Sequence, residues 1–504
     1  MTNNVEELGK GLMTNYINLF RGRLISHLIG AIGSILIIRI LEPEDFGILS
    51  IAMSIPYIVG AFGNLGVNTA VTHFTSKHKA SNLDYAKKVI ASGMVFDVLF
   101  GSALALAGYL LSPFIFSLVL NKPSITPYGE FASIYTVIYW SFSSTFSGLL
   151  GLELTHYNSR LWIIHYSFQT LSTVALAIAW SKIYGVILGY ALSYLVVVIY
   201  GALILRRQGI LKGVSPSLTV LIEMLRYSLP LTLSSAINNV FGIYTNSFVN
   251  RVLTIIIISN LNASSRISFF FDTIFNPLSY AIQPLLSKMD KTDKLGMNVM
   301  INKLFKLRLM LQVPLILIIF SLSTIVINVL AGPQYESASF LLKLSMIGYL
   351  ITSASGGSIL NSLLIYQGYT KFSMRIGILN TLIYAILVTG LVIKFGVIGY
   401  FIAGWFYWIP GYAITMMFVT ETFSYKFPAR LVFEIFVIGG SVMFPLIFID
   451  SLFGIPIAIG LLLLVFKLYV RFGLLTKGEI EVFVHSLRNS GLGFLEKPLL
   501  KLLS

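Results

Sequence analysis

Residues 185–205 read GVILGYALSYLVVVIYGALIL, 21 consecutive residues without a charge, with Lys182 just before them and Arg206-Arg207 immediately after. A helix needs about 20 mostly apolar residues to cross the hydrocarbon of a bilayer, and no period-2 alternation competes with that reading. The pattern recurs along the chain. Counting this stretch, 14 spans are expected, at 18–41, 46–70, 89–111, 131–152, 161–181, 185–205, 229–251, 264–286, 309–331, 340–364, 373–393, 396–419, 431–450 and 453–473. Asn121-Lys122-Pro123 and Gly332-Pro333 mark turns between them, and most other breaks are basic. The composition agrees: 56% of the 504 residues are apolar and 11% charged, with a mean hydropathy of +0.85. A soluble domain carries about 25% charge. Soluble enzymes, nucleic-acid modules and disordered scaffolds are excluded. With no cysteine, disulfides and thiolate chemistry are excluded too. No cleavable signal peptide is expected, because Glu6, Glu7 and Lys10 precede the first span. Val5, Leu8, Leu12 and Tyr16 instead form an amphipathic lead-in.

The net charge of +15 is a topology signal. With the N-terminus inside, 28 of the 35 lysines and arginines fall on the inner side, while the outer turn Glu42-Pro43-Glu44-Asp45 is acidic. The expected location is the cell membrane, multi-pass, with both termini cytoplasmic. The electrostatic partner is then the anionic inner leaflet and not nucleic acid.

Two halves of the chain superimpose. At an offset of 211, Arg160 falls on Lys371 and Gly185-Val186-Ile187 on Gly396-Val397-Ile398; at 212, Gly30 meets Gly242, Arg39 meets Arg251 and Lys182 meets Lys394. Six spans in each half give a parallel repeat, the plan of transporters with a central site. The first helix of each half carries a polar stripe: Arg23, His27, Gly30 and Ser34 in one, Ser235, Asn239, Gly242, Asn246 and Asn250 in the other. Lipid penalises such stripes, so they should face protein or a wet cavity; packing through small residues is the plainer reading for Gly30, Ser34 and Gly242.

No GxxxxGK[ST], HExxH or GxSxG occurs, so no nucleotide-driven pump, zincin or serine-hydrolase site is encoded. No metal site, cofactor or catalytic residue is expected. The longest outer connection, around 111–130, is too short for a catalytic domain. Asp97 and Asp272 each lie about eight residues into a span. An ionisable group at that depth is a hypothesis of coupling or gating, set against a structural hydrogen bond. Arg21 and Arg23 stand at the inner mouth, where arginine forks suit a diphosphate. Arg39, Arg251 and Arg266 lie toward outer ends, where snorkelling to headgroups is the ordinary explanation and contact with an anionic cargo the functional one.

Several stretches resemble one family. Arg39-Ile40-Leu41-Glu42-Pro43-Glu44-Asp45-Phe46-Gly47 resembles the turn after the first span of polysaccharide flippases. Leu229-Pro230-Leu231, Gln367-Gly368-Tyr369-Thr370-Lys371 and Gly396-Val397-Ile398-Gly399 resemble further motifs of theirs, in order, over roughly residues 10–420. These flippases form the polysaccharide and lipid-linked oligosaccharide branch of the multidrug/oligosaccharidyl-lipid/polysaccharide (MOP) exporter superfamily. The resemblance implies alternating-access transport of sugars linked to lipid phosphates or diphosphates, commonly driven by cation gradients such as H+ or Na+. Asn246 stands where the family often has Asp. Span 1 lacks the acid usual in proton-coupled multidrug relatives.

The expectation is therefore an all-α polytopic membrane protein of about 14 transmembrane helices, with two pseudo-symmetric six-helix lobes around a central cavity plus two further C-terminal helices. The segments are an N-lobe over 1–205, a cytoplasmic linker over 206–228, a C-lobe over 229–420, two spans over 431–473 and a cytoplasmic amphipathic tail over 474–504. The expected function is flipping a lipid-linked oligosaccharide from the cytoplasmic to the outer leaflet for cell-surface glycan assembly. The candidate contacts to diphosphate or sugar are Arg21, Arg23, His27, Arg39, Asn239, Asn246, Asn250, Arg251 and Arg266. The alternatives are a cation-coupled multidrug or metabolite antiporter on the same fold and, further off, a membrane-embedded polymerase.

Overall fold

A computed structural model describes residues 25–61, 63–268, 294–449 and 451–475. The lead-in at 5–16, Arg21, Arg23, Asp272 and the tail from 476 onward lie outside these residues. Among the described residues every regular element is helical.

Helix α5 (Leu83–Phe114) shows how lipid shapes the chain. It starts where the Asn82 side chain accepts a hydrogen bond from the Tyr85 N–H at 3.1 Å, a standard N-cap. Its buried face runs through Gly93, Asp97, Gly101, Ala105, Gly108 and Ser112, at spacings of three and four, with Ser92 beside it. Its large residues point the other way, with Leu99, Leu106 and Leu110 each more than 60% exposed. Small residues inside and bulky apolar ones outside is the membrane arrangement, because backbone proximity, and not water exclusion, drives helix association there. The face packs on α6 (Thr126–Ser141), where a Cβ on Gly101 would meet the Val137 carbonyl at 3.1 Å.

Eight described segments are long and apolar enough to cross a membrane; one of them, Thr370–Phe423, holds two expected spans in one run. The other expected spans differ for physical reasons. The first is described only from Ile25, as the helix α1 (Ile25–Ile40). The span expected at 46–70 is broken into α2 (Pro43–Ala52), α3 (Ser54–Val59) and α4 (Val67–His78). Pro56 and the left-handed run of Gly63, Leu65 and Gly66 prevent one continuous helix. The span expected at 131–152 divides into α6 and α7 (Ser143–Gly151). α8 (Thr155–Ala179) and α9 (Lys182–Arg207) are intact. α10 (Leu218–Val252) runs 35 residues, but its Ser and Asn stripe lowers its hydropathy. α10 also begins inside the stretch expected as linker, so 206–228 is a connector only as far as Ser217. The span expected at 264–286 starts in α11 (255–268) and leaves the described residues.

In the second half, α12 (Lys294–Ser321) and α13 (Ser323–Leu330) share one expected span, and α14 (Ser337–Ser355) and α15 (Gly357–Tyr366) share the next. The α14–α15 break is Gly356 at φ 65°. α16 (Thr370–Phe406) turns at Gly396 (φ 58°), and α17 (Ile409–Phe423), α18 (Ala429–Met443) and α19 (Gly454–Arg471) follow. The breaks at Phe142 and Gly356 are 214 positions apart, close to the offset of the internal repeat.

Contacts divide the chain into two compact units: one of Met1–Arg266 with Thr381–Ala403, the other of Ile267–Asn380 with Gly404–Ser504. The first centres on Val71, Ile90, Leu161, Val197 and Met224; the second on Phe305, Leu309, Leu363, Phe423, Ile435 and Tyr469.

The α8–α9 hairpin turns within Trp180-Ser181, and Gly185 makes the tight return possible, since a Cβ there would collide with the Leu176 carbonyl. Gly185→Ala should therefore destabilise the protein by about 2 kcal/mol. Gly460→Ala, at a helical glycine with nothing within 4 Å, should be neutral. Thermal unfolding of the two variants in detergent checks the difference.

Candidate functional site

Breaking a helix inside a membrane frees peptide groups that lipid cannot solvate. Polar side chains collect at those breaks. In the first unit, Asp97 is fully buried on α5. Its Oδ1 accepts from Asn64 Nδ2 at 3.0 Å and its Oδ2 from the Ser144 N–H at 2.6 Å. Asn64 lies in the irregular turn before α4, and Ser144 is in the first turn of α7, where free N–H groups and the helix dipole favour an anion. Asn64 Nδ2 also reaches Ser143 Oγ at 3.2 Å. One carboxylate thus ties together two broken spans and an intact one.

α10 meets the same α3–α4 break from another side. Asn239 Nδ2 donates to the Ala61 carbonyl at 2.7 Å, and a Cβ on Gly242 would meet the Tyr57 hydroxyl at 2.9 Å. Asn246 is exposed and Asn250 half-buried. On α1, Gly30 and Gly33 are close-approach points for Tyr166 and Thr170 of α8, and the His27 ring stands edge-on to Tyr166 at 6.0 Å. Gly30 and Gly242 thus serve packing, while Asn239 stitches a broken span.

The end carrying the acidic turn is held by cations. Lys182 Nζ lies 2.9 Å from Glu42 Oε1 and 3.3 Å from Asp45 Oδ2, and its hydrogen bond and charge hold the Glu42 carboxyl below the usual carboxylate range. Lys122 Nζ donates to the carbonyls of Asn250 and Leu253, at the C-terminus of α10, and burial pushes its ammonium below its ordinary value. Arg251 Nη1 in turn donates to the Leu118 and Val119 carbonyls at 3.0 and 3.3 Å, in the π-helical turn that ends the α5 span. The two cations cap each other's helices. Arg266 is half-buried; its Nη1 donates to Ser34 Oγ at 3.1 Å, and its guanidinium lies 5.1 Å from the centroid of the Phe46 ring. Arg39 is exposed. Of the sequence-derived candidates, then, Asn250 and Arg251 meet at the Lys122 corner, and Arg266 joins α1 through Ser34. His27, Asn239 and Asp97 have separate protein partners. Arg39 and Asn246 are exposed, and Arg21, Arg23 and Asp272 lie outside the described residues.

The second unit contains a cavity that the candidate residues did not include. It has a volume of about 450 Å3, within the range of small-molecule sites. It opens at the α14–α15 break, beside Gly356 and Gly357. Polar groups of Arg308, Gln312, Ser353, Ser358, Asn361 and Tyr412 line it, the first four of them linked by hydrogen bonds. Arg308 Nη1 donates to Ser358 Oγ, and its Nε to Gln312 Oε1 at 3.2 Å. The same Gln312 oxygen accepts from Ser353 Oγ at 3.0 Å. Ser373 Oγ donates to Asn361 Oδ1 at 2.6 Å, and the Tyr412 hydroxyl to the Ser355 carbonyl at 2.8 Å. Two further lining side chains have unused capacity: Asn380 Oδ1 and Trp408 Nε1 are buried with no hydrogen-bond partner among the described residues. No carboxylate appears among the described lining residues. The signal in the sequence was Thr352-Ser353-Ala354-Ser355-Gly356-Gly357-Ser358, a glycine-interrupted polar run inside an otherwise apolar span.

Residues 12–290 match the family described as polysaccharide biosynthesis protein. Two membrane proteins of Methanocaldococcus jannaschii are similar. MJ1375 is 23% identical over 387 residues, covering 71% of this chain and 86% of its own length; MJ1068 is 22% identical over 482 residues, covering 89% and 90%. Among solved structures, the lipid II flippase MurJ in an inward closed conformation superimposes with a TM-score of 0.71 at 16% identity, covering 90% of this chain and 99% of MurJ. An inward-facing multidrug-resistance MATE transporter of the MOP superfamily superimposes with a TM-score of 0.64 at 14% identity, covering 79% and 95%. The fold is the one these transporters share, and the chain is an all-α, polytopic membrane protein.

Asp97→Ala should leave the Ser144 N–H and one Asn64 N–H unpaired in the interior and cost about 3 kcal/mol. Asp97→Asn, which retains an acceptor oxygen for one of them, should lose less. Melting temperatures of the two purified variants check the order, and equal melting with wild type would remove Asp97 from the structural framework.

Proposed function

The chain belongs to the polysaccharide biosynthesis protein family, and on that footing we propose that it turns an oligosaccharide linked to a lipid phosphate or diphosphate from the inner to the outer leaflet by alternating access. The observation that carries this reading is the lining of the cavity beside Gly356. Its hydroxyls, amides and aromatic rings match the donors, acceptors and apolar faces of a sugar, and its charged lining residue, Arg308, is a cation. A lipophilic drug cation finds no carboxylate among the described lining residues. A glycan carrying hydroxyls, or an acidic substituent, finds partners at low desolvation cost. The sugar crosses among polar side chains while its lipid tail stays in the bilayer.

Further parts of the reading rest on the sequence. The chain sits in the cell membrane with both termini cytoplasmic. The repeats 1–205 and 229–420 act as the two rocking lobes around a central cavity, with 431–473 and 474–504 appended. Arg21 and Arg23 receive the diphosphate at the inner mouth, and His27 and the Asn239, Asn246 and Asn250 series offer it hydrogen bonds. Arg39, Arg251 and Arg266 meet it toward the outer side. Asp97 and Asp272 serve coupling or gating, with H+ or Na+ as the driving ion. For Arg251 this requires the guanidinium to leave the Leu118 and Val119 carbonyls during the cycle, so cargo and helix capping compete for one fork.

Deleting the gene in its host should strand lipid-linked oligosaccharide in the membrane and remove the corresponding surface glycan. Wild type should restore the glycan. Arg308→Ala should restore it at least tenfold less well, the size expected for one charge-assisted contact. Intact surface glycan in the deletion strain, together with increased sensitivity to cationic drugs, would favour the antiporter.

A further inference from the structure

Helices α8 and α9 form an antiparallel hairpin, so the start of α8 and the end of α9 lie at one end of the first unit. Between them is a recess of about 200 Å3, separate from the cavity beside Gly356. α8 contributes Tyr157 and Arg160; α9 contributes Tyr200 and Arg207; Gln208 closes the rim. The Arg160 guanidinium is held 5.6 Å from the centroid of the Tyr157 ring, and Gln208 Nε2 donates to the Tyr157 hydroxyl at 3.5 Å. Both arginines are exposed, and neither has a carboxylate partner among the described residues. Glu153, the acid just before α8, is paired with Lys79 at 2.6 Å. The C-terminal dipole of α9 accounts for Arg207, in its last turn, whereas Arg160 lies in the second turn of α8, near the positive end of its own helix. Two guanidinium groups facing one recess repel each other until an anion lies between them. The phenol hydroxyls and the amide add donors around it.

The wall leading to the recess distinguishes the kind of anion. Leu195, Ile199, Leu203 and Arg207 stand at intervals of four on α9, one row on one face. Leu195, Ile199 and Leu203 are 38%, 52% and 46% exposed. This is an apolar ridge that ends in a guanidinium, the complement of a molecule with acyl chains below a phosphate. We propose that the recess binds the phosphate of an anionic phospholipid, whose chains lie along this ridge. Basic pockets between helices at a membrane surface recognise lipid headgroups in this way. The site is independent of the transport reading, since none of its residues belongs to the cavity or to the proposed cargo path.

The test uses the full chain, delipidated in neutral detergent and titrated with phosphatidylglycerol, phosphatidylcholine or inorganic phosphate, with bound copies counted by native mass spectrometry. Wild type should hold phosphatidylglycerol at least tenfold more tightly than phosphatidylcholine. Arg160→Gln/Arg207→Gln should lose that preference, and Arg430→Gln, at an arginine already paired with Glu434, should keep it. Should the double variant fail to fold, Arg160→Gln and Arg207→Gln alone should each weaken phosphatidylglycerol binding severalfold. Unchanged phosphatidylglycerol binding in the folded variants would overturn the proposal. Equal binding of phosphatidylcholine would do the same. Inorganic phosphate binding as tightly as phosphatidylglycerol would assign the recess to a soluble phosphate and overturn the lipid.

Discussion

An unpaired peptide group in hydrocarbon costs several kcal/mol, and the structure is organised around meeting that cost where its helices break. An unbroken apolar helix needs no help. α9 is one, and it carries little polar chemistry within its span. Each broken span calls in side chains. The Asp97 carboxylate accepts the Ser144 N–H at the start of α7, Asn239 reaches the Ala61 carbonyl, and the Tyr412 hydroxyl reaches the Ser355 carbonyl beside Gly356. Lys122 and Arg251 do this at two helix C-termini, Lys122 at the end of α10 and Arg251 at the end of the α5 span.

The same constraint leads from fold to function. A break admits polar side chains to a depth where lipid alone would exclude them, and a polar cavity is the space they leave when they do not fill it. The cavity beside Gly356 has that origin: a glycine in the left-handed region ends α14, and Gln312, Ser353, Ser358 and Asn361 gather around the opening. A path for a hydrophilic headgroup across a membrane requires such a place. The helical fold shared with MurJ and MATE proteins is a frame, and under the proposed function it is the lining, and not the frame, that would select the cargo.

Much of the fold was legible in the sequence because lipid imposes one rule on every span: about 20 apolar residues between polar ends. The intact helices α5, α8, α9 and α19 follow it within a few residues. The divided spans were less legible, since hydropathy averages over a break; Pro56 and Gly356 were in plain view, yet an apolar window passes over both. The partners of charged residues were not legible at all. Arg251 reaches Leu118 and Val119 from more than 130 positions away, and no local pattern announces such a contact. Asp97 was recognisable as an ionisable group inside a span, but not as the acceptor for a helix start 47 positions on. The cavity's signal, the polar run from Thr352 to Ser358, lies inside the span expected at 340–364, where hydropathy averages over it.

The proposed activity is the movement of a lipid-linked sugar between leaflets. It is tested most directly in liposomes containing the purified protein and a lipid-diphosphate oligosaccharide labelled with a fluorophore on the sugar. A membrane-impermeant quencher added outside extinguishes the outer-leaflet label at once. With the protein present, the inner-leaflet label should then decay steadily, faster than in empty liposomes, and excess unlabelled lipid-linked oligosaccharide should slow it. An inner-leaflet signal as long-lived as in empty liposomes, with the protein folded and the vesicles sealed, would contradict the account.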